Sequence, residues 1–153
     1  MLTGVALTAV LALAAPASAN PGGQPGKAYT FVLPAGPQAT ATQARLLAVA
    51  PMISPAPRQT RHVAAGKPAT CASGNLCTFV WDPTTNSWKI FDLFTCARYS
   101  LSNWLGDGFY TNAQTGGVTV TFYGQGGNVL NSFTGTGTGS QDWDPVWSIR
   151  NCS

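Results

Sequence analysis

The chain has 153 residues, only 8% of them charged, and a formal net charge of +3 at neutral pH. So sparse a charge excludes the dense basic block that nucleic-acid binding requires, and the length is that of a chain with room for one compact core. The acids are five aspartates and the only imidazole is His62, which leaves little material for acid–base catalysis, so no enzymatic turnover is expected.

In chain order, an apolar run over 5–15 leads to Pro16 and then Ala17-Ser18-Ala19, the small-x-small pattern that signal peptidase cuts after. Residues 1–19 therefore read as a signal peptide and the mature protein as secreted and extracellular. The run is shorter than the ~20 residues needed to cross a hydrocarbon core, so no membrane association is expected after cleavage. Over 20–70, Pro, Ala, Gly, Thr and Gln dominate, and prolines interrupt the short apolar patches at 29–33 and 46–53. This predicts a disordered linker or pro-segment with at most a marginal helix at 39–50. Its charges are all positive (Lys27, Arg45, Arg58, Arg61 and Lys67) but dispersed, and serve solvation. His62 lies here and reads as a solvated bystander.

Composition changes at Cys71, where all five tryptophans and all four cysteines follow. The segment 71–153 is expected to be the folded unit. Strands are predicted at 76–81 and 89–94, joined by the turn residues Asp82 to Ser87, and then at 108–112, 118–123, 128–133 and 146–150. In 118–123, Val118, Val120 and Phe122 alternate with Thr119, Thr121 and Tyr123, the period of a sheet with one buried face. Helix is limited to one turn near 100–105, and Gly135 to Gly139 reads as a flexible connection. The class is all-β, a small Greek-key sandwich of short strands and Gly-rich turns.

An even number of cysteines in an exported chain reads as disulfides. Cys71 and Cys77 pair on proximity, leaving Cys96 with Cys152, although four cysteines permit three pairings. Loop entropy assigns about 2.4 kcal/mol to the small ring and about 4 to the large one. Zinc would require thiolates in an oxidising compartment, and the spacings lack a paired C-x2-C, so no metal or other cofactor is expected. Asp142 and Asp144 sit beside Trp143 and Pro145 in an expected loop and read as surface groups rather than a glycosidase pair.

The opening Cys71-Ala72-Ser73-Gly74-Asn75-Leu76-Cys77, followed by an aromatic strand, resembles the C-x-S-G-x-x-C opening of peptidase inhibitor family I36, small secreted actinobacterial proteins. The closing Val146-Trp147-Ser148-Ile149-Arg150-Asn151-Cys152 is similar to that family's final strand. Phe122-Tyr123-Gly124 resembles the aromatic-Tyr-Gly step of βγ-crystallin-type Greek keys. The resemblance implies a βγ-crystallin-like fold and metalloprotease inhibition; the crystallin calcium signature is missing. On this reading the protein acts as a monomer that blocks a secreted protease with a disulfide-braced loop, at 72–75 with Ser73 and Asn75, or at 94–101 around Cys96. The alternative is a carbohydrate- or cell-wall-binding module. Five tryptophans exceed what so small a core can bury, and Trp88, Trp104 and Trp143 are the candidate stacking platforms, with Trp81 and Trp147 assigned to the core.

Overall fold

The computed structural model describes residues 26–37 and 49–152. The expected signal peptide lies outside these residues, as does the expected helix at 39–50 apart from its last two positions. Twelve strands follow in chain order: β1 Tyr29–Val32, β2 Met52–Ser54, β3 Gln59–Val63, β4 Pro68–Cys71, β5 Leu76–Asp82, β6 Ser87–Leu93, β7 Ala97–Ser102, β8 Asp107–Asn112, β9 Val120–Tyr123, β10 Val129–Phe133, β11 Gly137–Asp142 and β12 Ser148–Asn151. The protein is all-β, and among the described residues no helix is long and apolar enough to cross a membrane.

Two antiparallel five-stranded sheets, ordered β10-β9-β12-β7-β2 and β11-β8-β5-β6-β3, form a sandwich, and β1 and β4 form a separate two-stranded ribbon. Among the described residues, only the β5–β6 and β9–β10 pairs join consecutive strands. Elsewhere the chain crosses from sheet to sheet, so each sheet is assembled from distant segments. The Cys71–Cys77 and Cys96–Cys152 bridges are both present, matching the expected pairing and pointing to an oxidising compartment.

The central hairpin explains the layering. In β5 and β6, Leu76, Val80, Phe91 and Leu93 face the other sheet, where they meet Tyr99, Leu101, Val120, Phe122 and Ile149 in the main core. The intervening Cys77, Phe79, Trp88 and Ile90 face the opposite way and need a second cover. It comes from the ribbon: Leu33 and Ala69 are buried on this outer face, with Tyr29 and Phe31 packed beside them. Leu33 N donates to Lys67 O at 2.9 Å and Gly66 N to Leu33 O at 2.9 Å, closing the ribbon. Arg61 on β3 is bidentate to buried Asp92 on β6 (3.0 and 3.3 Å) and donates to Thr70 O on β4 at 2.7 Å, fastening ribbon to sheet.

The expected linker over 20–70 is thereby corrected. Within its described part, β1 to β4 are integral strands, because an outer face that carries Phe79, Trp88 and Ile90 cannot be left in water. The folded unit thus begins well before Cys71. Two smaller corrections follow. The turn of helix expected near 100–105 is replaced by β7, paired to β12 and β2, and the Gly-rich run expected as a connection supplies the start of β11, paired to β8.

Leu33 is 2% exposed under this outer layer. Leu33→Ala is expected to cost about 2–4 kcal/mol through lost burial and the cavity left behind, read as a lower urea midpoint at unchanged slope. A wild-type midpoint would mean that the ribbon is not part of the cooperative unit.

Candidate functional site

Two short loops meet at one end of the sandwich. The first, 72–75, joins β4 to β5, and the Cys71–Cys77 bridge closes its base. Gly74 N donates to Ala113 O at 2.8 Å, and Ala113 N returns a bond to Asn75 O at 2.9 Å. Asn75 is buried, its Nδ2 donating to Ala72 O at 3.1 Å, so it holds the loop from inside. Ser73 stays half-buried and Ala72 exposed.

The second loop, 94–96, joins β6 to β7. Buried Tyr99 donates its hydroxyl to Thr95 O at 3.0 Å, and burial pushes that hydroxyl above the ordinary phenol range, which keeps it a donor. Asn151 Nδ2 donates to Leu93 O at 3.3 Å, and the Cys96–Cys152 bridge anchors the far side. Phe94 stands at the front of this loop, 55% exposed.

The loops touch through Gly74 and Phe94. Gly74 sits at φ +86°, and a Cβ there would lie 3.3 Å from Phe94 Cε2, so glycine permits both the turn and the approach. Arg58 places its guanidinium 4.7 Å from the Phe94 ring centroid, while its backbone N–H donates to Asp92 O at 2.9 Å. The result is one rigid tip: an exposed aromatic ring, flanked by a cation and by small residues, with a disulfide behind each loop. The tip draws on segments that sequence spacing does not connect. Arg58 gave no signal of it; Phe94 was legible as the first residue of the loop expected at 94–101, of which 97–101 belong instead to β7.

The tryptophans are placed otherwise than expected. Trp88, Trp104 and Trp143 are 3%, 3% and 0% exposed, whereas Trp147 is 49% exposed. Each buried indole N–H finds a backbone carbonyl: Trp88 to Pro34 O at 2.9 Å, Trp104 to Met52 O at 2.8 Å and Trp143 to Phe79 O at 2.9 Å. Rings so enclosed cannot serve as open stacking platforms. Trp147, assigned to the core, lies just before β12 at the end of its sheet, and Trp81 is only partly buried.

No protein-family model, curated protein or solved structure matches this chain, so its ionisable groups are judged on geometry. His62 is on β3, not in a linker, with Nε2 3.0 Å from Asp82 Oδ2. Lys89 Nζ lies 3.8 Å from the same oxygen, and Thr84 donates its N–H and hydroxyl to Asp82 Oδ1 at 2.9 and 2.6 Å. An Asp–His pair is part of a hydrolase triad, but among the described residues no hydroxyl bonds the other ring nitrogen. Asp142 and Asp144 are exposed and shape a loop: Asp144 N donates to Asp142 Oδ1 at 3.0 Å, and Gly106 N to Asp144 Oδ1 at 2.7 Å. No group of three metal-ligating side chains occurs among the described residues.

Burial pushes the Asp82 carboxyl up, but the Thr84 hydroxyl, His62, the Thr84 N–H and the Lys89 charge together hold it below the ordinary aspartate value. A lowered folded-state pKa gives stability that is complete above the unfolded value, about 3.9, and is lost as pH falls through the folded one. Asp82→Asn is expected to destabilise by about 1–3 kcal/mol at neutral pH, with the gap to wild type closing under strong acid. Urea unfolding across that range checks it; a gap that stays constant would remove the carboxylate from the account.

Proposed function

We propose that this is a secreted, non-catalytic protein-binding module that works by occupancy, pressing the Phe94 tip into an apolar pocket of its partner. One observation carries the reading: two loops, each braced by its own disulfide, converge on an exposed phenylalanine. A side chain presented on a backbone already held by hydrogen bonds and covalent bridges loses little conformational entropy on docking, which favours tight binding. The likeness of 71–77 and 146–152 to the I36 inhibitors supports a secreted metalloprotease as the partner and its cleft as the pocket. Export is supported by the 1–19 pattern and by the two disulfides, which require an oxidising environment.

The glycan-binding alternative loses the three platforms named for it, Trp88, Trp104 and Trp143, and would rest instead on Trp147, which is 49% exposed. Catalysis is not favoured either, since the nearest approach to a catalytic pair, His62 with Asp82, lacks a bonded nucleophile.

Titrating secreted metalloproteases of several pocket types with the full chain tests the reading. Activity of at least one should fall to an end-point near equimolar ratio. Phe94→Ala should weaken that inhibition about 30-fold or more, as truncation of a central aromatic anchor does. Reduction of the disulfides should abolish it. Full protease activity at large molar excess across the panel, or inhibition indifferent to Phe94→Ala, would defeat the proposal.

A further inference from the structure

The outer face of the β8–β11 pair holds a cleft of about 520 Å³, remote in composition from the Phe94 tip. Its apolar lining is Phe31, Trp88 and Phe109, with Pro34 and Pro37 walling it from the segment that follows β1. The rings are fixed before any ligand arrives. Phe109 stacks on Phe79 at 4.3 Å, and Phe31 and Trp88 meet Phe109 edge-on at 5.5 and 5.2 Å.

The charge at this cleft has one sign. Asp107 is the only ionisable side chain in the lining. In the β8–β11 register it stands directly opposite Asp142, so both carboxylates share the sheet face on which the cleft opens. Like charges placed opposite each other across a ladder are unfavourable. Among the described residues, the ion pairs engage only Asp82 and Asp92, leaving Asp107 and Asp142 without a cation. A rigid aromatic lining with one carboxylate in it, Asp107, and a second opposite on the same face, Asp142, whose Oδ1 takes the Asp144 N–H but which has no cation, is an arrangement that recognises positive charge on an apolar body.

We infer that this cleft binds an organic cation, an ammonium or guanidinium carried on an aromatic or aliphatic stem. The stem lies against Phe31 and Phe109, and the charged head meets Asp107 and Asp142. A neutral or anionic ligand of the same shape lacks the second interaction and is discriminated against.

Calorimetry on the full chain with phenethylamine and with 2-phenylethanol separates charge from shape. The amine is expected to bind about tenfold more tightly, a preference that shrinks as salt rises. Asp107→Asn, an exposed substitution that leaves the core alone, should erase the preference while sparing the alcohol. Ser140→Phe, which fills the cleft from its rim, should remove binding of both. A blocked Phe-Arg dipeptide distinguishes the sources of the cation: tighter binding than phenethylamine assigns the cleft to a peptide side chain, weaker binding to a free amine. Equal affinity for amine and alcohol, an Asp107→Asn protein that still prefers the amine, or no amine binding at all would overturn the inference.

Discussion

A hairpin that is apolar on both faces cannot be satisfied by one partner sheet, and β5–β6 is such a hairpin: Leu76, Val80, Phe91 and Leu93 on one side, Cys77, Phe79, Trp88 and Ile90 on the other. Antiparallel sheets more often leave one face to water. Here the second face recruits sequence that composition alone would give to solvent. That recruitment explains why the bidentate Arg61–Asp92 pair lies where β3, β6 and β4 come together, and why Trp88 reaches Pro34 for a hydrogen bond. Without the ribbon and the segment after β1, the central strands would present Phe79, Trp88 and Ile90 to water.

The same two-layer arrangement positions both candidate binding features. The Phe94 tip forms where β4 turns into β5 and β6 leaves for the second sheet, so the bridges that staple each turn also stiffen the surface. Phe94, exposed beside buried Leu93, is the one side chain at the end of β6 that neither core can accept. The aromatic cleft forms where the ribbon's covering segment stops short of β11, an edge strand built of Gly, Thr, Ser, Gln and Asp that offers no bulk to fill the gap. Both are consequences of where packing ends.

Much of the sandwich was legible in the sequence. The strands at 76–82, 87–93, 107–112, 120–123, 129–133 and 148–151 carry β-branched or aromatic residues bounded by turn chemistry, and the disulfide pairing followed from spacing. Strands β1 to β4 were missed because they are short, flanked by proline, and in β3 dominated by Gln, Thr, Arg and His, side chains at home on an edge. β11 was missed because its glycines have no strand preference. The exposures assigned to Trp88 and Trp143 were drawn from the number of tryptophans set against the size of the core. What decides them is a carbonyl 54 or 64 positions away, which no local pattern encodes. The run at 76–81, apolar at every position but Thr78, was the overlooked signal, since a strand that does not alternate implies cover on both sides.

In the first sheet, β12 lies between β9 and β7, yet it follows every one of its sheet partners in the chain. During vectorial synthesis the ribbons β2–β7 and β9–β10 can each pair, but nothing joins them until residues 148–151 emerge and slot between. Cys152, the next residue, then meets Cys96, so a covalent latch falls immediately behind the keystone strand. The first sheet is therefore left in two unjoined halves until this one strand is in place, and the covalent closure of the fold waits on the same event.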